Sequence, residues 1–122
     1  MKYDENNIFA KILRGEIPCN KIYEDDFVLS FYDINPQKKI HALVIPKGKY
    51  IDLDDFNTNA SNEEIIGLMK GVTTVAKKLG ISSIDGKGYR ALANISDYGG
   101  QEVPHLHFHL FGGEKVGKMV SW

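Results

Sequence analysis

Val103-Pro104-His105-Leu106-His107-Phe108-His109-Leu110-Phe111 holds three of the chain's four histidines, each two residues from the next, with apolar side chains between them. A β-strand sends successive side chains to opposite faces. The run is therefore expected to be a strand, with His105, His107 and His109 on one face and Leu106, Phe108 and Leu110 buried on the other. A helix would scatter the same imidazoles around its circumference, because residues two apart on a helix do not face each other.

Two chemistries use a row of imidazoles. As metal ligands, the outer pair would stand about 13 Å apart at the strand rise. Zinc–nitrogen bonds are about 2.1 Å, so three such rings do not easily close on one ion. Further ligands would have to come from His41, Cys19 or carboxylates, none in a recognisable ligand spacing, and no metal or cofactor is expected. As catalysts the rings are better placed. Histidine titrates near neutrality, so a neutral ring can attack an electrophile while a neighbour stabilises negative charge or passes a proton.

Working back from the run, Gly99-Gly100-Gln101-Glu102 reads either as a hairpin turn or as a nest of amides that would bind an anion. Tyr89 to Asn94 is expected to be a strand, with Asn94 bonding loop backbone at its end. Ser61-Asn62-Glu63-Glu64 is a capping box that opens one long helix, to about Leu79, with Gly80 as its stop. Ile65, Leu68, Met69, Val72, Val75, Ala76 and Leu79 would cover the sheet. His41 opens a buried strand, Ala42-Leu43-Val44-Ile45, that ends at Pro46; alone, it reads as a hydrogen-bonded structural histidine. Lys21 to Glu24 and Phe27 to Tyr32 form a strand pair turning at Asp25-Asp26. In Asp33-Ile34-Asn35-Pro36 the aspartate reads as a turn carboxylate. Asn7 caps a short helix from Ile8 to Arg14, whose stripe of Ile8, Phe9, Ile12 and Leu13 packs the core.

Composition narrows the class. The 122 residues suit one domain, residues 1–122, with a short tail from about 114. A net charge of −1 gives no reason to expect nucleic acid or an acidic membrane as partner. The single Cys19 excludes an internal disulfide and suits a reducing compartment. Met1-Lys2-Tyr3-Asp4-Glu5 is too charged to begin a signal peptide, and no run approaches the roughly 20 apolar residues of a membrane span. A cytoplasmic location is expected.

The histidine run resembles the H-x-H-x-H signature, with apolar residues between and after the histidines, of the histidine triad superfamily of nucleotide hydrolases and transferases. Gly99-Gly100-Gln101, Gly112-Gly113, the stretch from Asn7 to Pro18 and the His41-to-Lys47 strand resemble its Hint branch, the purine nucleoside phosphoramidases. The similarity spans about Asn7 to Gly113. It implies an α+β fold: an antiparallel sheet of about five strands, one long and one short helix, and a homodimer joined into a continuous sheet. It implies hydrolysis of the P–N bond of purine nucleoside 5′-phosphoramidates, with His107 attacking phosphorus to form a nucleotidyl-histidine. His109 would bond phosphate oxygens and assist proton traffic, while His105 and His41 orient His107. Ile8, Phe9, Ile12, Phe31 and Ile34 would wall the purine, Asp33 would take the ribose hydroxyls, and Asn94, Gly100, Gln101 and Glu102 would meet the phosphate. The Hint tail crosses the dimer near the partner's site, and residues 115–122 hold that position here.

Two departures stand out. Glu102 replaces a serine common in eukaryotic relatives, and an ionised carboxylate donates no hydrogen bond, leaving only its backbone for phosphate. Pro104 replaces a common aromatic and removes a ladder donor. Dinucleoside polyphosphates or another nucleotidyl donor would engage the same triad. A regulator that binds nucleotide or metal without turnover would share the pocket.

Overall fold

The computed structural model describes residues 2–120. Its helices begin where short polar side chains can take the first free amides. Asn7 Oδ1 accepts the Ala10 N–H at 2.9 Å and starts α1 (Ile8–Leu13). Asp52 accepts the Asp55 N–H at 2.8 Å and starts α2 (Leu53–Asn59). The third helix, α3 (Asn62–Lys78), carries the full capping box. Ser61 Oγ accepts the Glu64 N–H and Glu64 Oε1 accepts the Ser61 N–H, both at 3.1 Å. Gly80, at φ 75°, takes the left-handed backbone that stops α3.

The helix α2 corrects the expected count of one long and one short helix. Seven residues are too few to display a 3.6-residue stripe, and only Phe56 of α2 is buried. Its signal is the cap alone, an aspartate with acidic residues in the first turn.

Five strands form one antiparallel sheet: β1 (Lys21–Glu24), β2 (Val28–Tyr32), β3 (Ile40–Pro46), β4 (Arg90–Leu92) and β5 (Phe108–Gly112), in the order β1-β2-β3-β5-β4. Alternation within β2 and β3 divides the core. Val28, Ala42, Val44, Leu106 and Leu110 pack with Phe56, Leu68 and Val75 beneath the helices α2 and α3. Leu29, Phe31, Leu43 and Ile45 pack with Phe9 of α1. Of the expected α3 face, Leu68, Val75 and Ala76 are buried, but Met69 stays 48% exposed.

The strand through the histidines is shorter than alternation suggested. Pairing with β3 begins at Val44 opposite Phe108, so His105 and His107 precede the ladder. Proline explains the late start. β3 ends at Pro46, which has no N–H to offer, and Pro104 removes another donor. The Leu106 N–H goes instead to the Tyr50 carbonyl at 2.9 Å. The face assignment nevertheless holds for Leu106 and Leu110, both fully buried. β4 is likewise shorter than expected, and Asn94 lies beyond it.

Arg90 of β4 donates to the carbonyls of Gly117 and Lys118, at 2.9 and 3.0 Å, and so holds the tail. Met119 and Val120 are 85% and 65% exposed. Trp122, at the end of the 115–122 tail, lies outside the described residues.

Candidate active site

Antiparallel pairing of β3 with β5 sets His41 opposite Phe111 and Leu43 opposite His109. All four histidines meet on the α1 side of the sheet. The His107 and His109 rings are 4.9 Å apart between centroids, and His109 and His41 are 5.2 Å apart. Phe9 stands edge-on to His105 and His107. Phe111 stacks parallel to His109 and lies 4.3 Å from the His41 ring.

Hydrogen bonds assign each ring its tautomer, because carbonyls only accept and amides only donate. His105 Nε2 lies 2.9 Å from the Pro46 carbonyl, so it carries the proton and donates. His107 Nδ1 lies 2.8 Å from the His105 carbonyl, so it too is protonated, which leaves the His107 Nε2 lone pair free. The Gln37 N–H donates to His41 Nδ1 at 3.1 Å, so the His41 proton sits on Nε2. That Nε2–H is 2.9 Å from His109 Nδ1, to which it donates. His109 therefore holds its own proton on Nε2. Adjacent rings thus present opposite ends: a lone pair on His107 and an N–H on His109.

Burial keeps these rings neutral. It is the largest cause of lowered proton affinity in all four, since a charged ring loses solvation there. His105 is pushed down to about 4. His109 also falls to about 4, through burial and then repulsion from His107 and His41. His107 is lowered by burial, against weaker opposition from its bond to His105 and from the Asp33 and Glu102 charges. Burial lowers His41, and Asp33 partly offsets it.

Asp33 divides its carboxylate. Oδ1 accepts the Asn35 N–H at 2.8 Å, the turn contact its sequence position suggested, while Oδ2 faces His41 Nε2 at 3.5 Å. Donor atoms of Asp33, His41 and His109 lie within 4.8 Å of one another, a convergence that linear spacing conceals. A metal there would need a lone pair on His41 Nε2, which the Gln37 bond to Nδ1 opposes. Phe9 and Phe31 meet edge-to-face at 5.6 Å and are both buried. Ile12 is half-buried against the same cluster, whereas Ile8 and Ile34 project to solvent at 42% and 86% exposure.

The loop before the histidines is tightly wound. A side chain on Gly99 would collide with the Ile95 carbonyl, which requires glycine there. The Gly100 and Gln101 amides donate to the carbonyls of Asp97 and Ser96, both at 3.0 Å. The Gln101 carboxamide braces the loop, giving one hydrogen to the Val103 carbonyl at 3.0 Å and accepting the Ser96 N–H at 2.9 Å. Its side chain is thereby committed to structure. Glu102 is exposed and Asn94 half-buried.

The family model described as HIT domain matches residues 14–116. The chain belongs to the HIT domain family. An uncharacterised HIT-like protein of Azospirillum brasilense is 51% identical over 98% of this chain and 95% of its own length. A protein of Escherichia coli K12 named purine nucleoside phosphoramidase is 41% identical over 96% of this chain and 95% of its own. Among solved structures, a HIT family hydrolase from Clostridium thermocellum superposes with a TM-score of 0.85 at 38% identity, covering 96% of this chain and 99% of that one.

Within this HIT domain, three contributors escaped sequence reasoning. Phe111 was readable, since alternation from His109 puts it on the imidazole face. The Gln37 amide and the Tyr3 hydroxyl, which sits 2.7 Å from His105 Nδ1, carry no local signal.

Proposed function

We propose that this protein hydrolyses the P–N bond of purine nucleoside 5′-phosphoramidates through a nucleotidyl-histidine. The observation that carries the reading is the pairing of a free His107 Nε2 lone pair with a His109 Nε2–H on the next ring. His107 Nε2 attacks phosphorus, the P–Nε2 bond forms and the P–N bond to the amine breaks. The amine departs as it gains a proton, with His109 the adjacent donor. An anionic phosphoryl group raises the proton affinity of a neighbouring imidazole, which prepares His109 to be charged when substrate is bound. Water then attacks the same phosphorus, returning a proton to His109 as the P–Nε2 bond breaks, which releases the mononucleotide and restores both His107 and His109. The name of the E. coli relative supports this substrate class.

Asp33 Oδ2 takes the ribose hydroxyls in this reading, and Phe9, Phe31 and Ile12 with the exposed Ile8 and Ile34 receive the purine. Asn94 and the backbone of Gly100 to Glu102 lie beside the phosphate. A homodimer belongs to the same reading, supported by β4 being an edge strand whose outer backbone groups are a template for a second sheet. In the test, His107→Ala is assayed for turnover of an adenosine phosphoramidate and for AMP affinity. Turnover should vanish while affinity stays within about tenfold, because the nucleophile is lost and the pocket is not. Turnover above about 1% of wild type would refute the covalent role of His107.

A further inference from the structure

We infer that Tyr3 is a positioning residue of the histidine site, its hydroxyl locking the His105 ring whose backbone carbonyl aligns the nucleophile; this rests on His107 acting as proposed above. His105 is fully buried, and both its ring nitrogens are occupied. Nε2 gives its proton to the Pro46 carbonyl, so the neutral ring leaves Nδ1 as a bare acceptor. A buried acceptor without a donor is costly. The Tyr3 O–H, at 2.7 Å, is that donor.

The hydroxyl is delivered by an anchored strap. Asn7, 5% exposed, donates to the Asp4 carbonyl from its amide at 3.2 Å and its side chain at 2.8 Å. Glu5 pairs with Lys49 at 2.9 Å on the far side. Tyr3 also meets the His105 ring edge-on, with centroids 5.7 Å apart. From there the path to the chemistry is one residue long. His107 Nδ1 donates to the His105 carbonyl at 2.8 Å, so a tilt of His105 turns the attacking nitrogen. Small misplacements of a nucleophile are expensive in rate. Tyr3 lies outside the residues 14–116 that match the HIT domain model.

The test compares wild type, Tyr3→Phe and Tyr3→Ala in the full chain by histidine-ring nitrogen NMR and by kcat and KM for an adenosine phosphoramidate. In wild type, His105 Nδ1 should show the shift of a hydrogen-bonded acceptor, and a free lone-pair shift would overturn the inference even if no variant folds. Tyr3→Phe should move that shift to the free value, broaden or split the His107 ring signals, and lower kcat about tenfold with KM within about twofold. A Tyr3→Phe protein with wild-type kcat and His107 signals, alongside an impaired Tyr3→Ala, would make Tyr3 packing only and overturn it. The nitrogen shifts need no substrate. Wild type that leaves phosphoramidates intact would refute the proposed activity, while the shifts still decide the role of Tyr3.

Discussion

Lowering the pH from 7 to 5 is expected to destabilise the fold, with His105 responsible for a definable share. Its buried ring has a pKa of about 4, against an ordinary value of 6.5. The folded chain therefore binds this proton more weakly than the unfolded chain does. Stability is complete above about pH 6.5 and drains as pH falls toward 4, because acid favours the state that takes up the proton. At pH 5 the unfolded imidazole is almost fully charged and the folded one about a tenth charged; the linkage between pH 7 and 5 comes to about 2 kcal/mol. His109, also near 4, adds a similar amount, reduced because part of its shift is shared with His107 and His41. A loss of about 2 to 4 kcal/mol lowers the thermal midpoint of a domain this size by roughly 7 to 15 °C. Glu24, held near 2 chiefly by Lys47, loses its contribution only below the ordinary carboxylate range and leaves this window clear. Thermal midpoints followed by circular dichroism at pH 7, 6 and 5, at fixed ionic strength, test the account in wild type and His105→Gln. The variant should be less stable at every pH but lose the His105 share of the pH slope, the rest coming from His109, His107 and His41. A flat wild-type midpoint, or a His105→Gln slope equal to wild type, would refute the reasoning.

Two other perturbations separate competing readings. Asp33→Ala should weaken nucleotide binding by roughly 1–3 kcal/mol through lost bonds to ribose. Its thermal cost should be smaller, from the Asn35 turn contact alone; a large stability loss with unchanged affinity, by titration calorimetry, would restrict Asp33 to that turn. Exhaustive chelation should leave turnover unchanged, because the scheme needs only imidazoles. Activity lost to chelator and restored by zinc would instead assign Asp33, His41 and His109 as ligands.

The local repeat of the chain determined which face the histidines and leucines take, because strand alternation depends only on neighbours in sequence. The Asn7 cap and the Ser61–Glu64 box were equally legible, since each closes within three residues. Only tertiary structure decided what each imidazole can do. A ring's proton sits according to the partner of its other nitrogen, and those partners are remote: Tyr3 is 102 residues from His105, Pro46 is 59, and His41 is 68 from His109. The late start of β5 was hidden for the same reason, being set by the proline that ends a different strand. Spacing could name His105, His107 and His109, and only the resemblance added His41. Pairing of β3 with β5, and the remote hydrogen-bond partners it brings together, left a free lone pair on His107 and an N–H on its neighbour His109.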